Sequence, residues 1–346
     1  MLTLQLTSLY ASFCLLLLCI AALVTNDNHR LYEKRNLTDI VKWVAAVAVV
    51  IYHLCIFYMH SPTLATELRF GSLSVSIFFF LSGYGLIYSY SLKGEKYLKS
   101  FLVRRMSKIT IPLLTAYAIY IPLLRIINNR EGVKEAILSL FSFEPLLPYS
   151  WYVTEIILLY LFFYITMRFI PKYKLIILSL TITCMMIGLL LAKQPHWWVN
   201  ATPCFIIGIW YYQYECAIMK YMRKIRFWHL LLLILLFFCI YRLDIIQNNI
   251  QSLSRWRYTY ASYYIVNYLF IILAVYIFQG INNIKSFKIK RNSYYEIYLM
   301  QGSVFLLLDT TVSNRILFFA LAIITTILFS LGMNWVNLKI TSLLKI

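Results

Sequence analysis

Hydrophobic residues run along this chain in long blocks, without the one-sided or alternating periodicity of a soluble domain. A bilayer core about 30 Å thick needs about 20 mostly apolar residues per helical crossing. Eleven stretches meet that need, at approximately 3–24, 40–60, 71–92, 109–127, 150–169, 174–192, 198–214, 228–246, 259–279, 294–310 and 316–338. The connections between them are short, and no internal repeat stands out. The pattern predicts an all-α protein, a polytopic transmembrane helical bundle of about 11 spans with no separate soluble domain.

Composition agrees with lipid as the solvent. The 346 residues are 62% hydrophobic and 13% charged, where a soluble domain is roughly half apolar and a quarter charged. Aromatic residues reach 17%, which suits a protein with two membrane–water interfaces to anchor. Disorder, coiled coil and a secreted disulfide scaffold are excluded. The net charge of +19 raises the question of nucleic acid, but the basic residues fall in short clusters between apolar runs. That is the signature of cytoplasmic loops, so the expected partner is the bilayer and not nucleic acid. Assigning alternate loops to the cytoplasm, starting after the first span, puts 22 Lys and Arg inside and 9 outside. The N-terminus is therefore expected outside and the C-terminus in the cytoplasm. The first span has no basic n-region, and its first positive charges follow it, which favours a retained anchor over a cleaved signal. None of the seven cysteines forms a Cys-x-x-Cys pair, and most lie in apolar runs, where Cys is a small hydrophobe. No metal site is expected.

Charges within spans are costly and usually functional. The second span opens with Asn36-Leu-Thr-Asp39, a helix-cap pattern, and carries Asp39, Lys42 and His53. Eleven helical residues return to nearly the same direction, so Lys42 and His53 share a face roughly 16 Å apart along the axis. Asp39 lies three residues before Lys42, and Ala46, Val49 and Val50 leave space along the stripe. One wall thus presents an acid–base pair at one mouth and an imidazole deeper in. Snorkelling of Lys42 and simple packing of His53 would give the same pattern. Ser74 to Tyr84 contains Ser82, Gly83 and Tyr84, small and hydroxylated residues that permit close helix packing. The basic segment from Lys93 to Lys108, read as a loop, suits anionic headgroups or an anionic cofactor. Glu155, Glu296 and Asp309 also lie within apolar stretches. An intramembrane Glu either orients His53 or a substrate hydroxyl, or pairs with an Arg to join two helices.

The order of these elements resembles the acyltransferase-3 family of integral membrane acyltransferases. Asp39-Ile-Val-Lys42 through Tyr52-His53 is similar to its first core helix, with a basic residue eleven before a histidine. Phe78 to Tyr84 resembles its Phe-Phe-x-x-Ser-Gly-Tyr element, and Arg105 to Pro112 its Arg-x-x-Arg-(Ile/Leu)-x-x-Pro run. Trp151-Tyr152 resembles a Trp-Phe pair, and Ser293 to Leu299 a Ser-x-x-x-Ile-Tyr-Leu segment. Three positions depart from the pattern. Lys42 stands where many members have Arg, Ser76 where an acidic residue or Pro is frequent, and Gln301 where a histidine is common. The resemblance divides the chain into an additional N-terminal helix (1–30), a ten-helix core (36–338) and a short cytoplasmic tail (339–346). It implies no extracytoplasmic hydrolase-like domain here.

The resemblance further implies an acyl-CoA donor, most often acetyl-CoA, which enters from the cytoplasm as a substrate and is not permanently bound. Lys42, Arg104, Arg105 and Lys108 would hold its phosphates. His53, assisted by Asp39, Lys42 and Glu155, would activate a hydroxyl of a cell-surface glycan or its lipid-linked precursor, with an acetyl-histidine relay as a second route. Ser82, Tyr84, Trp151 and Tyr298 would line the substrate passage. The setting expected is a bacterial plasma membrane. A transporter, flippase or polymerase for polysaccharide intermediates is the rival reading. It lacks visible repeats, matching Gly/Pro-broken helices, and a long outer loop; 128–149 is the longest.

Overall fold

The computed structural model describes residues 30–59, 70–127, 134–135, 138, 147–222, 224–225, 227–249, 255–281 and 293–344. The expected first span at 3–24, and with it the additional N-terminal helix, lies outside the described residues, as does most of the 128–149 loop. A single 3-10 turn at Leu31–Glu33 leads into α1, Arg35–Met59. There follow α2, Phe70–Lys93, the short α3, Glu95–Lys99, α4, Phe101–Ile126, and α5, Trp151–Phe169. The chain continues through α6, Lys174–Leu191, α7, Pro203–Met222, α8, Phe227–Asn249, and α9, Arg255–Gly280. It ends with α10, Tyr294–Asp309, and α11, Arg315–Leu343. No strand occurs among the described residues.

Ten of the expected spans coincide with α1, α2 and α4–α11. Six of these helices, α1, α2, α4, α5, α6 and α11, are long and apolar enough to cross a membrane, so the protein is a multi-pass membrane protein. α10 is shorter, at 16 residues, and carries Glu296 and Gln301. α7 is a continuous helix whose apolar run is interrupted by Gln213 and Glu215.

Three local readings change. α1 begins at Arg35, so Asn36 lies inside the first turn and is not its cap. The basic stretch from Lys93 to Lys108 is almost wholly helical, broken only at Gly94 and Ser100. Gly94 has φ 54°, a left-handed turn that glycine adopts without steric cost, and it lets α2 hand over directly to α3. Finally, the span read at 198–214 starts at Pro203, because proline's fixed φ and missing N–H suit the first helical turn. The preceding His196–Trp198 forms a 3-10 turn.

The chain divides into two compact units. One comprises residues 1–45, 60–89 and 185–289, the other 46–59, 90–184 and 290–346. Within the first, α9 packs with α7 and α8. α2 and α7 touch backbone to backbone at a pair of glycines. A Cβ on Gly83 would meet the Phe205 carbonyl oxygen at 2.2 Å, and one on Gly208 the Phe80 carbonyl oxygen at 2.1 Å. With lipid tails as apolar as leucine, such close approach is a main source of helix association.

Within the second unit, α4 packs with α5, α10 and α11, and α10 with α11. Phe101, Phe163 and Leu159 are fully or almost fully buried between α4 and α5. Among the described residues, Glu296 of α10 bonds to neither an Arg nor His53. Its Oε1 accepts hydrogen bonds from Asn334 Nδ2 at 3.0 Å and Asn337 Nδ2 at 3.1 Å, both on α11. Asn337 Oδ1 in turn accepts from the Thr115 hydroxyl of α4 at 2.8 Å. Three helices are joined by one buried polar chain.

The glycine contact predicts the outcome of adding single side chains. Gly208→Val lowers the stability of the purified protein by about 1–3 kcal/mol or more, because the added carbons collide with a backbone that has no room to yield. Gly188→Val, where a Cβ meets no atom within 4 Å, is the matched control and leaves the melting temperature nearly unchanged. Thermal unfolding of both variants in one detergent checks the pair.

Candidate active site

The uninterrupted run of Ala, Val and Ile in α1, free of Gly and Pro, carries Asp39 and Lys42 near one end and His53 near the other. Asp39 and Lys42 belong to the first unit and His53 to the second. Lys42 Nζ stands 3.8 Å from Asp39 Oδ1, so the expected acid–base pair is formed. Asp39 also faces Arg35, whose Nε is 3.9 Å from its other oxygen. One carboxylate is therefore bracketed by two cations on successive turns.

His53 is buried, and its surroundings come from α10 and from the turn before α5. Its Nδ1 lies 2.9 Å from Oε1 of Gln301, a fully buried side chain of α10. The amide nitrogen of Gln301 donates to the Tyr298 carbonyl one turn earlier, at 2.9 Å. The imidazole ring stacks on Tyr149, with centroids 3.9 Å apart and planes within 13°. Tyr52 packs beside it at a tilt, its centroid 5.4 Å away. Among the described residues, no hydrogen bond is made to His53 Nε2.

Tyr149 holds a left-handed backbone conformation, φ 68°, unusual for a bulky residue. Such strain persists only where the neighbours over-determine it, and it clusters at functional sites. Here the Tyr298 hydroxyl donates to the Tyr149 carbonyl, and Ser150 closes the turn through its N–H and hydroxyl onto the Leu147 carbonyl. Pro148 rests against Gly302, where a Cβ would approach the proline Cβ at 2.6 Å. Tyr298, Gln301 and Gly302, all within one turn of α10, thus fix both the imidazole and the ring that covers it.

The other expected residues lie on α2, α4, α5 and α10. Trp151 is half-buried and meets Tyr152 edge-on; Tyr152 packs edge-on against Tyr298, with centroids 5.6 Å apart. Glu155 is fully buried on α5 and interacts electrostatically with the Tyr298 phenol. Tyr298 is thus linked to His53 through Tyr149, while Trp151 and Glu155 connect to Tyr298, by way of Tyr152 and by charge respectively. Asp309 is exposed at the end of α10. On α4, Arg104 and Lys108 are exposed, while Arg105 is half-buried. Arg105 donates to the Tyr97 hydroxyl at 3.0 Å, and the phenols of Tyr160 and Tyr97 are its nearest electrostatic neighbours. Glu95, the only acid in that basic segment, pairs with Arg168 at 3.0 Å.

Ser82 is half-buried on α2, and Tyr84 takes part in a second polar node within the first unit. Its hydroxyl donates to Glu215 Oε2 at 2.9 Å and accepts from the Tyr32 N–H at 3.1 Å. Glu215 Oε1 accepts from the Leu31 N–H at 2.8 Å and from Gln279 Nε2 at 3.0 Å. The Gln279 amide also reaches the Tyr211 hydroxyl at 2.6 Å. Beside this node Lys34, with no exposed surface, donates to the carbonyls of Phe278, Gln279 and Ile281 at 3.0, 2.7 and 3.0 Å. The first two are orphan carbonyls of the last turn of α9 and the third follows directly after it, and a cation there also favours the helix dipole.

Lys34, Tyr149, Glu215, Gln279 and Gln301 did not emerge from the sequence as site residues. The last three carried a usable signal, since each is a polar side chain within an apolar run. Among the described residues, no cluster of three or more His, Cys, Asp or Glu is arranged to hold a metal ion.

The Lys34 anchor yields a stability prediction. Lys34→Met removes this donor from two buried carbonyls and one part-buried carbonyl and costs about 1–3 kcal/mol. Thermal unfolding in detergent measures it, and a melting temperature equal to wild type would contradict the anchoring role.

The acyltransferase-3 family model, described as an acyltransferase domain, matches residues 38–335. Neither a curated protein nor a solved structure matches the chain. The matched residues run from the first turn of α1 into α11 and include His53, Tyr149 and Gln301; the chain belongs to the acyltransferase-3 family and is a membrane acyltransferase.

Proposed function

We propose that this protein moves an acyl group, typically acetyl, from acyl-CoA to a hydroxyl of a cell-surface polysaccharide or its lipid-linked precursor. The observation that carries the reading is His53, a buried imidazole in an apolar helix, held by a hydrogen bond at one nitrogen and by stacking on Tyr149. Imidazole titrates near neutrality when unperturbed and is the commonest general base. His53 takes the acceptor's hydroxyl proton as the oxygen attacks the thioester carbon. The new C–O bond forms, the C–S bond breaks, and the departing CoA thiolate recovers the proton from the imidazolium. Glu155 and Tyr298 support this centre by their electrostatic contact. Trp151 and Ser82 are proposed to border the path of the substrates.

Donor binding is assigned to the positive charges of α4. Arg105 is the strongest element there, because its half-buried guanidinium is oriented by a hydrogen bond to the Tyr97 phenol. An anionic phosphate would meet that guanidinium with charge-assisted hydrogen bonds. Arg104 and Lys108 add charge on the same helix, and Lys42, oriented by Asp39, is proposed as a donor-binding cation on α1. The excess of Lys and Arg in alternate loops supports an N-terminus outside and a C-terminus in the cytoplasm of a bacterial plasma membrane.

Two predictions follow from these assignments. In cells, loss of the gene and His53→Ala both remove O-acetyl groups from purified surface polysaccharide, counted by proton NMR, with the variant chain still present in the membrane. Unchanged acetylation in either strain would reject the reading. In membranes given acetyl-CoA, Arg105→Gln raises KM for the donor about tenfold, the loss of one charge-assisted contact, with a smaller change in kcat.

A further inference from the structure

We infer that Gln301 is a positioning residue, holding His53 as its Nδ1–H tautomer so that the Nε2 lone pair faces the acceptor hydroxyl. The inference deepens the proposed acyl transfer and rests on it for its catalytic meaning, though not for its geometry.

A neutral imidazole carries one proton, and its partner decides which nitrogen bears it. Gln301 has two ends that behave differently, one donating and one accepting. Its orientation follows from the Tyr298 carbonyl, which only accepts, so the amide NH2 must face that carbonyl, at 2.9 Å. The flipped amide would set two oxygens against each other. Oε1 is therefore the end presented to His53, and an amide oxygen only accepts. The proton lies on Nδ1, and Nε2 is left bare.

The ring itself is prevented from exchanging its edges. Tyr149 lies flat on it at 3.9 Å, and Tyr149 is held by the Tyr298 hydroxyl and by the contact of Pro148 with Gly302. Tyr298 thus acts twice, through its carbonyl on Gln301 and through its hydroxyl on Tyr149. A neutral amide also defines the tautomer without burying a second charge at bilayer depth, where an unpaired carboxylate is costly.

The test uses the full chain in lipid nanodiscs, labelled with 15N-histidine, and an acylation assay with radiolabelled acetyl-CoA and purified surface polysaccharide of the host. His53→Gln assigns the His53 resonances by difference. The expected wild-type spectrum has a protonated Nδ1 and a bare Nε2; the reverse overturns the proposal. Gln301→Leu is expected to lower kcat about 10–100-fold, by analogy with other lost imidazole-orienting partners, with KM for acetyl-CoA little changed. Gln301→Glu, whose carboxylate still accepts from Nδ1, recovers at least fivefold over the Leu variant. It also moves the acid limb of the pH–rate profile upward, because the added negative charge stabilises the imidazolium. A purely structural role for Gln301 gives equal losses in both variants with no displacement of the pH limb, and that result overturns the proposal. If wild-type protein transfers no acetyl group, the proposed function falls, while the 15N spectrum still decides the tautomer.

Discussion

Inside a bilayer a polar group has no water to fall back on, and each one must find its partner within the protein. This chain answers that constraint by gathering several of its buried polar side chains into compact sets. Glu296 is met by Asn334 and Asn337, Lys34 by three carbonyls, and Glu215 by a tyrosine, a glutamine and a backbone N–H. His53 is met by Gln301. These hydrogen bonds to Glu296 and Glu215 come from amides, a hydroxyl and a backbone N–H, and the Glu215 set also feels the charge of Arg30. At Glu296 and His53 dipoles take the place of a partner ion, which avoids the heavy desolvation of a second charge.

α10 shows how structure and chemistry share residues under this constraint. Its first turn bears Glu296, which ties it to α11 and, through Asn337, to α4. One turn on, Tyr298, Gln301 and Gly302 hold the imidazole and the Tyr149 turn. The same helix is thus anchored on one side and presents the site on another. Precision at His53 rests on an element whose own position is fixed by hydrogen bonds in its first turn, as a preorganised site requires.

Much of the fold was legible because a helical crossing demands a long apolar block, and such blocks survive any detail of packing. The Asp39–Lys42 pair and the buried His53 were legible for a similar reason, since helical spacing is fixed geometry. The basic segment before Ile109 was misread as a loop. Hydropathy reports lipid contact, while α4 extends its hydrogen-bonded backbone to Phe101 beyond the apolar part. Tyr149 was invisible, because nothing in its residue type announces a positive φ. The His53–Gln301 contact joins residues 248 apart in sequence, and only the assembled helices reveal it. Gln301 had been noticed as a departure from a family pattern, and its hydrogen bond gives that departure a physical content.

The Lys34 anchor has a bearing on how the two ends of α1 and α9 respond to their surroundings. Exposed ion pairs such as Arg168 with Glu95 fade as counterions accumulate, because their attraction is shared with the solvent. Lys34 is shielded from that competition, since it has no exposed surface and its partners are neutral carbonyls. The turn before α1 therefore stays fastened to the end of α9 whether the ionic strength is low or high, and salt acts on the exposed charges alone.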